Sequence, residues 1–374
     1  YIVMQFALLF IFNLLIIKAN CLSDYHDPHF KDDRTVIVQM LEWRFEDIAI
    51  ECEKFLGPYG FGGVQTSPVS EHVILNQPSR PWYERYQPIS YKLVTRSGNE
   101  QQFKDMVSRC NKAGVRIYID VVLNHMSAGD MAGKGTAGSE YDGTKLNFPG
   151  VPFTSEHFNG YPKCPNSNLD IKNYDDPNQA RNCRLLNLVD VNNGHDHVRN
   201  KQAEFLNKMI NIGVAGFRVD ASKHMWPADL KEIINKLHHL NTEFFPANSK
   251  PFFYHEVIYY GGNTMKCDEY LSIGRCIEFK HPMNIGQVFR KMYNQKLKWF
   301  RNWGKDWGMI NSDDALAMID SHDLQRGQSG NMDESISFFD SKLLKMSTAF
   351  MLAWPYGVTR IMSSYQWPRK IEVS

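Results

Sequence analysis

The chain has 374 residues, of which 43% are hydrophobic, enough for a large domain with a substantial core. The formal net charge is +1 at pH 7 and there is no long run of like charges, which argues against nucleic acid or a charged membrane surface as a partner. The 13% aromatic share includes residues in polar surroundings, as in SRPWYERYQP (79–88), and aromatic faces in a polar cleft suit sugar rings.

The first segment of the chain, residues 2–17, is apolar but shorter than the roughly 20 residues that a membrane-spanning helix needs. Small residues follow at Ala19 and Cys21, where a signal peptidase would cut. The sequence therefore predicts a cleaved secretory signal peptide over residues 1–21 and no membrane partner. An even set of cysteines remains after that cut, suited to disulfides in an oxidising extracellular compartment, although spacing selects no pairing: Cys52, Cys110, Cys164, Cys183, Cys267 and Cys276.

Short β-branched runs then alternate with amphipathic stretches. The runs predict eight strands, over residues 35–40, 62–68, 116–125, 216–221, 252–258, 277–280, 315–323 and 356–362. The stretches predict helices, over residues 47–56, 100–114, 201–213, 229–241, 286–300 and 341–354. This alternation indicates an α/β fold with a parallel sheet, most simply a closed (β/α)₈ TIM barrel. A doubly wound open sheet is the alternative, but no glycine-rich phosphate loop follows the first strand.

A long irregular segment follows the third predicted strand. Residues 126–196 are rich in Gly, Asn, Asp and Pro and show little helical periodicity, so they predict a small excursion domain. The barrel is then divided between residues 22–125 and 197–374. The second part is expected to be incomplete, because no eighth helix follows the last strand. Exposed apolar faces and an open strand edge predict poor folding of the chain as written.

Polar residues gather where the predicted strands end. In a (β/α)₈ barrel the carboxyl ends of the strands form one rim, and catalytic groups are found there. A single acid at a strand end is usually a loop or capping residue, but three acids and two histidines on one rim are hard to explain as caps. The residues concerned are Asn124, His125, Arg218, Asp220, Glu256, His322 and Asp323.

Three carboxylates of this rim can be given chemical roles. Arg218 and Asp220 share a face of their strand, and a neighbouring cation lowers the pKa of a carboxyl group, so Asp220 is expected to be an ionised nucleophile for an anomeric carbon. A purely structural ion pair is the alternative. Glu256 is the expected general acid, because burial and nearby negative charge raise a carboxyl pKa. Asp323 would stabilise an oxocarbenium-like transition state.

Four segments carry a family resemblance. In chain order, DVVLNH (120–125), GFRVDASKH (216–224), HEVI (255–258) and IDSHD (319–323) resemble the four motif regions of the α-amylase family of glycoside hydrolases. Further stretches resemble the animal-type, chloride-activated members, and the likeness extends from about residue 33 to residue 369. They are SRPWYERYQP (79–88), GVAGFRVDASKHMWP (213–227) and MLAWPYGVTRIMSSYQW (351–367).

The resemblance implies a function and residues for it. Asp220 matches the nucleophile, Glu256 the acid/base and Asp323 the third carboxylate. The implied reaction is endo-hydrolysis of α-1,4-glucosidic bonds in starch, glycogen and malto-oligosaccharides, with retention of configuration, by a secreted digestive monomer. The residues matching sugar-binding and cleft positions are Trp82, Tyr83, Tyr86, Gln87, His125, Tyr174, Arg218, Lys223, His224 and His322.

A structural calcium ion is also implied by the resemblance. Oxygen ligands from the barrel rim and from the excursion would hold this hard cation and join the two parts. The matching ligands are the side chains of Asn124 and Asp190 and the backbone carbonyls of Arg181 and His224.

The chloride site implied by the resemblance is altered in this chain. Arg218 and Arg360 match its two arginines, but Ser321 stands where an asparagine is expected. A serine hydroxyl reaches less far than an amide, so we expect weaker chloride binding and partial activation. Gln328 likewise replaces a histidine that the family carries in a flexible loop, which would alter substrate affinity.

The resemblance also bears on the cysteines and on the end of the chain. It suggests the pairs Cys52–Cys110 and Cys164–Cys183, which leaves Cys267 and Cys276 to pair by exclusion. A C-terminal β-sandwich domain, typical of the family, is expected to be missing together with the last barrel helix.

Two other functions remain open on the sequence. The first is a truncated, catalytically inactive amylase-like protein that only binds glucan, but inactive relatives lose the carboxylate triad, which is intact here. The second is a family enzyme of other specificity, such as an α-glucosidase or a transglycosylase. The aromatic residues Trp82 and Tyr83 and the animal-type segment near residues 216–227 argue against it.

Overall fold

The computed structural model describes residues 24–262, 264–328 and 333–368, so the predicted signal peptide (1–21) lies outside the described residues. The strands are β1 (Thr35–Met40), β2 (Phe61–Thr66), β3 (Arg116–Val121), β4 (His125–Ala128), β5 (Ala132–Lys134), β6 (Glu140–Asp142), β7 (Leu188–Asp190), β8 (Gly216–Val219), β9 (Phe252–His255), β10 (Arg275–Ile277), β11 (Ala315–Met318) and β12 (Val358–Ser363). The α-helices are α1 (Phe45–Glu51), α2 (Glu100–Lys112), α3 (Pro177–Asn182), α4 (Asp196–Ile212), α5 (Pro227–Ile234), α6 (Lys280–Phe289) and α7 (Ser341–Ala353).

Eight parallel strands close into the predicted barrel. Around it the order is β1-β12-β11-β10-β9-β8-β3-β2, and β1 and β12 pair directly to complete the ring. Every residue of β3, β8, β9, β10 and β11 is buried. Strands covered on both faces read as continuous apolar runs, which is why the β-branched segments predicted them. The (β/α)₈ prediction is confirmed, and the doubly wound alternative is wrong.

The helices pack their apolar faces against this barrel. At the start of α2 the Asn99 side chain accepts from the Gln102 backbone N–H at 3.0 Å, and the Gln102 side chain accepts from the Asn99 N–H at 2.9 Å. This reciprocal capping satisfies two N–H groups that the first helical turn leaves free. At the end of α4, Gly213 adopts φ 113°, a left-handed conformation that ends a helix at little cost in glycine. No helix within the described ranges has the length and apolar character needed to cross a bilayer.

Two predicted helices are shorter than the sequence pattern indicates. The helix predicted over 286–300 exists only as the end of α6, because Lys291 and Tyr293 adopt φ values of 59° and 50° and the chain continues in short 3₁₀ turns. The helix predicted over 229–241 ends with α5. Beyond it the His238 N–H donates to the Asn207 side chain at 2.7 Å instead of to a helix carbonyl. Where both helices end depends on backbone conformation and tertiary contacts, which the hydrophobic periodicity of the sequence does not reveal.

Between β3 and α4 the chain leaves the barrel. Strands β4 and β7 form one antiparallel pair, and β5 and β6 form another. An apolar cluster separate from the main core lies here, formed by residues of this segment together with some from before and after it: Val73, Ile89, Met126, Tyr141, Phe148, Val151, Phe153, Phe158, Val189, Val191 and Val198. The long irregular segment therefore contributes most of this second cluster, and Val73, Ile89 and Val198 complete it from neighbouring parts of the chain.

Two of the three expected disulfides are present. Cys52 bonds Cys110, and Cys164 bonds Cys183. The third expectation is wrong in this structure, because Cys267 and Cys276 are buried free thiols. The Cys276 thiol donates to the backbone carbonyl of Cys267 at 3.7 Å and also interacts with the Cys267 thiol, but no bond joins the two sulfurs.

Candidate active site

A cleft of about 650 Å³ opens at the carboxyl ends of the barrel strands. It brings together all three predicted catalytic carboxylates and most of the predicted sugar-binding residues. Arg218 lies buried beneath it, and Gln328 is at its edge. The lining residues are Trp82, Tyr83, Tyr86, Gln87, His125, Tyr174, Leu185, Leu186, Leu188, Asp220, Ala221, Lys223, His224, Glu256, Ile258, His322, Asp323 and Gln328.

Backbone hydrogen bonds that continue beyond the strand ends position two of the carboxylates. Asp220 follows β8, and its N–H donates to the Val121 carbonyl at 3.0 Å. Glu256 follows β9, and its N–H donates to the Val219 carbonyl at 3.1 Å. Ala221 then adopts φ 50°, a left-handed conformation unusual for alanine, and its N–H donates to Glu256 Oε2 at 2.9 Å. The chain therefore turns away immediately after Asp220, leaving both carboxylates at the floor of the cleft.

One buried arginine joins these carboxylates. Arg218 Nη1 donates to Asp220 Oδ1 at 2.9 Å, and Arg218 Nη2 donates to Glu256 Oε1. The same Nη1 is 2.7 and 2.8 Å from the two oxygens of Asp120. The guanidinium is a planar donor group that remains charged when buried, which is what such a cluster requires.

Asp120 is a site residue that the pattern of polar residues at strand ends does not predict. It lies within β3, where it pairs in register with Arg218 on β8, and Tyr86 Oη donates to it at 3.0 Å. An acidic residue within a mostly apolar, fully buried strand was the available signal. It could not identify the partner, because the register between β3 and β8 is a tertiary property.

The pKa expected for Asp220 needs correction. Arg218 lowers it, as the sequence predicted, but burial and the nearby charge of Glu256 are together stronger and raise the pKa of Asp220 well above its usual range. Burial also raises the pKa of Asp323, to about 7. A buried carboxylate loses its hydration, and a single arginine shared among three acids replaces only part of it. Asp220 and Asp323 therefore hold protons more tightly than exposed aspartates do.

The third carboxylate is held by an ordered histidine. His322 Nδ1 accepts from the Gln39 side-chain amide at 2.9 Å, which leaves His322 Nε2 as a donor, 3.4 Å from Asp323 Oδ1. The His322 ring stacks on Tyr86, with ring centroids 5.3 Å apart and planes 10° from parallel. Burial lowers the pKa of His322 well below its usual value, followed by the charge of Arg218. A neutral donor therefore faces Asp323.

The remaining predicted sugar contacts have fixed orientations. His125 Nε2 lies 2.9 Å from the Tyr86 carbonyl, and Lys223 Nζ donates to the Ile258 carbonyl at 3.0 Å. His224 Nδ1 lies 2.8 Å from the Ala180 carbonyl. Burial lowers the pKa values of His125 and His224 to about 4, so both rings are neutral at physiological pH. Neutral imidazoles and one ammonium group suit hydrogen bonding to sugar hydroxyls.

The predicted calcium ligands include a buried oxygen without a partner. Asn124 Oδ1 is buried and accepts no hydrogen bond, whereas its backbone carbonyl accepts from the Val191 N–H at 2.9 Å, next to Asp190. Asp190 is fully buried and accepts from Asn159 at 2.8 Å. No group of three or more His, Cys, Asp or Glu in the described part of the chain could hold a metal. Calcium also accepts amide and carbonyl oxygens, so an acid-rich cluster is not required, and these residues fit.

The predicted chloride ligands also contain buried groups without partners. Arg360 donates from Nη1 to Gln65 Oε1 at 2.7 Å, but the Nε atoms of Arg360 and Arg218 and the Nε2 of Gln65 have no hydrogen-bond partner. Unpaired buried donors on positively charged groups fit an anion. Ser321 Oγ accepts from the Leu324 N–H at 3.2 Å, so the serine at the altered position also caps a turn.

Comparison with known proteins agrees with this site. Residues 73–255 match the family model described as alpha amylase, catalytic domain. The chain is 57% identical over 348 residues to an alpha-amylase of Dermatophagoides pteronyssinus, covering 93% of this chain and 69% of that protein. It is 50% identical over 364 residues to a pancreatic alpha-amylase of Homo sapiens, covering 96% and 71%.

A solved alpha-amylase structure is also similar to this chain. The crystal structure of alpha-amylase I from Eisenia fetida superposes with a TM-score of 0.90 at 46% sequence identity, covering 92% of this chain and 69% of that one. The barrel, the cleft with its three acids and these relatives together establish that the chain belongs to the alpha-amylase family of glycoside hydrolases.

Proposed function

We propose that this chain hydrolyses internal α-1,4-glucosidic bonds of starch, glycogen and malto-oligosaccharides with retention of configuration. One observation carries the proposal: Asp220, Glu256 and Asp323 line a single cleft above one buried arginine. Asp220 and Glu256 bind the two Nη atoms of that guanidinium, which favours the close carboxyl spacing of about 5–5.5 Å used by retaining enzymes over the wider spacing of inverting ones.

In the first step of the proposed reaction, a carboxylate oxygen of Asp220 attacks the anomeric carbon. The bond from that carbon to the glycosidic oxygen breaks, and Glu256 donates a proton to the departing oxygen. Asp323 and the neutral donor His322 hold the sugar while positive charge develops. The product of this step is a glycosyl ester on Asp220 together with a released sugar chain.

In the second step, water attacks the same anomeric carbon from the side that the released sugar has left. Glu256, now a carboxylate, takes the proton of that water, and Asp220 departs as a carboxylate. Two inversions give net retention, and the enzyme returns to its starting state. The inactive glucan-binding alternative is not favoured, because the chain retains all three acids and its relatives bear the names of active enzymes.

The products formed from a long α-glucan test this function. We expect amylose to lose viscosity and iodine staining well before much reducing sugar appears, because cuts fall within the chain, and we expect new reducing ends to be α-anomers by NMR. Blocking the non-reducing end of the substrate serves as the control, since internal cleavage continues on blocked chains. Release of glucose from chain ends alone, or of β-anomers, would contradict the proposal.

In this proposal calcium binds Asn124, Asp190 and the carbonyls of Arg181 and His224, and chloride binds near Arg218 and Arg360. Calcium would supply a structural cross-link between the barrel rim and the excursion, and chloride would supply negative charge beside the two buried arginines. The unpartnered Asn124 Oδ1 supports the first ion, and the unpartnered Nε atoms of both arginines support the second.

Both sites can be tested by adding calcium and chloride, separately and together, to protein from which both ions have been removed. After dialysis against a chelator in chloride-free buffer, calcium is expected to stabilise the protein by about 3 kcal/mol once its concentration is about 100-fold above Kd, measured as a rise in Tm. Chloride is expected to raise kcat without changing Tm. Because Ser321 replaces the expected asparagine, we expect this rise in kcat to be only partial.

The controls for this experiment are magnesium at the same concentration and the variant Asn124→Ala. Magnesium favours a tighter octahedral shell, so it should not reproduce the rise in Tm, and Asn124→Ala should lose most of the response to calcium. A Tm indifferent to chelation would count against the calcium site. A kcat that stays flat from zero to high chloride would count against the anion site.

The proposal also assigns location and organisation. We place the enzyme outside the cell as a digestive monomer, and the pairs Cys52–Cys110 and Cys164–Cys183 support an oxidising compartment. Residues 126–196 would act as an excursion domain between the barrel segments 22–125 and 197–374. An apolar cluster drawn mostly from residues 126–196 and separate from the main core supports this division.

A further inference from the structure

An arginine lies between two tryptophan rings beside the catalytic cleft. The guanidinium carbon of Arg326 is 5.2 Å from the centroid of the Trp82 ring and 4.8 Å from that of the Trp367 ring. A cation is attracted to the electron-rich face of an indole, and a planar guanidinium can also stack on that face. One side chain therefore joins two aromatic rings that belong to distant parts of the chain.

Trp82 is the member of this stack that reaches the cleft. It lines the same 650 Å³ space as Asp220 and Asp323, whereas Arg326 does not. A buried tryptophan usually has its N–H hydrogen bonded, but Trp82 Nε1 is buried and has no partner among the described residues. The orientation of the ring therefore depends on its neighbours, among them Arg326 and the His322 ring, whose centroid is 5.2 Å away at an interplanar angle of 73°.

The backbone holds Arg326 close to the catalytic rim. Its N–H donates to the Asp323 carbonyl at 2.9 Å within the 3₁₀ turn Leu324–Arg326, and Gly327 ends that turn with φ 71°. Arg326 Nη1 donates to the His322 carbonyl at 2.7 Å. Its Nε is buried without a hydrogen-bond partner in the described part of the chain, so stacking determines much of how the guanidinium lies.

The outer ring of the stack is supported from behind. Trp367 follows β12, and its ring centroid lies 4.5 Å from that of Phe338 and 5.7 Å from that of Phe339, at interplanar angles of 65° and 88°. Both phenylalanines precede α7 in the chain. A tryptophan packed in this way offers a firm surface to Arg326, which in turn offers a firm surface to Trp82.

We infer that Arg326 is a positioning residue, which stacks between Trp82 and Trp367 and thereby fixes the Trp82 ring for contact with a glucose unit of the substrate. The inference rests on the proposed function. A ring that is already fixed loses less conformational entropy when a sugar binds to it, so the affinity for α-glucan is higher. Arg326 acts through the tryptophan, because it does not itself line the cleft.

The positive charge of Arg326 provides an independent measurement. Burial and the charge of Glu256 raise the pKa of Asp323 to about 7, whereas the charges of Arg218 and Arg326 lower that pKa. Removing the Arg326 charge should therefore raise the pKa of Asp323 further, so that its carboxylate is lost at a higher pH. The other titratable groups that interact with Asp323 are Asp120, Tyr86, Tyr260 and the neutral ring of His322.

Two substitutions separate the stack from the charge. Arg326→Lys keeps the charge but loses the planar group that contacts both rings, so we expect KM for maltoheptaose to rise roughly 3- to 10-fold at nearly constant kcat. The acid limb of its pH profile of kcat/KM should stay in place. Arg326→Gln removes the charge as well, so the same rise in KM should be joined by a shift of the acid limb to higher pH. A fall in kcat and Tm without a rise in KM would mark a purely structural role and overturn the inference.

A double-mutant cycle shows whether Arg326 acts through Trp82. Kd for maltohexaose is measured by calorimetry in a Glu256→Gln background, so that binding occurs without cleavage. Trp82→Leu should weaken binding at least as much as Arg326→Lys does. Combining the two should add little, because the ring that Arg326 positions is already gone. Fully additive losses would mean that Arg326 acts by another route, and the inference would fail.

Trp367→Leu tests the same stack from outside the cleft. Loss of the supporting ring should weaken maltohexaose binding by roughly 2- to 5-fold, although Trp367 does not line the cleft. This variant keeps the inference testable if Arg326→Lys does not fold. An unchanged Kd in Trp367→Leu would contradict the stack as the source of affinity.

Arg116→Lys is the matched control. Arg116 is a buried arginine that lies 4.5 Å from the Phe245 ring centroid and donates to the His29 carbonyl at 2.7 Å, but it begins β3, at the end of the barrel opposite the cleft. Its replacement should change Tm while leaving Kd for maltohexaose unaltered. An equal loss of affinity in Arg116→Lys would mean that binding responds to any stacked arginine, and it would overturn the inference.

The inference and the proposed function fail in different ways. A wild type that leaves starch intact would defeat the proposed function, whatever the Kd values of the variants. If the wild type hydrolyses starch but Arg326→Lys binds maltohexaose as tightly as its parent, only the role of Arg326 is lost.

Discussion

Asp220→Asn is expected to lower kcat on soluble starch by roughly 10⁴-fold while the protein stays folded. The amide has nearly the same shape as the carboxylate and keeps its oxygen near Arg218 Nη1, now 2.9 Å from Asp220 Oδ1. It cannot form a stable glycosyl ester, so the first step of the reaction is lost. Initial rates and Tm, measured on the same preparation, check both halves of this expectation.

Glu256→Gln should cause a loss of similar size, because the leaving sugar then departs without a proton. The two losses are expected not to add in the double variant, since both residues serve one reaction. Asp105→Asn is the matched control: this aspartate is exposed on α2, where it pairs with Arg109, and kcat should stay unchanged. Retention of more than a tenth of wild-type kcat by Asp220→Asn would remove Asp220 from the mechanism.

Arg218→Met is the second large effect that we expect. Removing this guanidinium leaves Asp120, Asp220 and Glu256 buried without their cation, so the free energy of unfolding at pH 7 should fall by about 3–5 kcal/mol. Activity should be lost as well, because the nucleophile and the acid are no longer held together. Denaturant titration followed by fluorescence measures the change in stability.

The loss in Arg218→Met should depend on pH. Burial already raises the pKa values of Asp120 and Asp220, and without the arginine they rise further above their unfolded values. The folded variant therefore binds more protons than the unfolded chain between about pH 4 and those raised pKa values. The variant is therefore destabilised most at neutral pH and regains stability as the pH falls toward 4. Asp120→Asn added to Arg218→Met should recover part of the loss for the same reason.

Arg109→Met provides the control for charge removal. Arg109 forms ion pairs with Glu53 and Asp105 on the protein surface, and such pairs contribute at most about 1 kcal/mol. If Arg218→Met were no more destabilising than Arg109→Met, the cluster beneath the cleft would not be held by Arg218 and the account of the site would fail.

The sequence predicted the barrel because its physical causes are local. Strands such as β3 and β9 are buried on both faces and read as apolar runs, whereas helices such as α2 show a 3.6-residue period and a cap at Asn99. Beyond α6, however, the local pattern predicted a helix that does not continue. There the left-handed residues Lys291 and Tyr293 end a helix whose amphipathic pattern continues.

The type of chemistry in the cleft could be predicted from the sequence. Acids and histidines at strand ends indicated a catalytic rim, and Asp220, Glu256 and Asp323 do meet in one cleft. Asp120 was not predicted as a site residue because it lies inside β3. Its pairing with Arg218 depends on the register between two strands that are far apart in the sequence.

What the sequence determined by itself is therefore the order of elements and the residue types at their ends, because periodicity and strand position are properties of neighbouring residues. Tertiary structure alone decided three things: that Cys267 and Cys276 remain thiols, that Arg218 serves three acids, and that burial raises the pKa of Asp220 despite its arginine. Each depends on the direction of a side chain and on how much water distant segments exclude. Desolvation is set by the packed whole, and no local pattern records it.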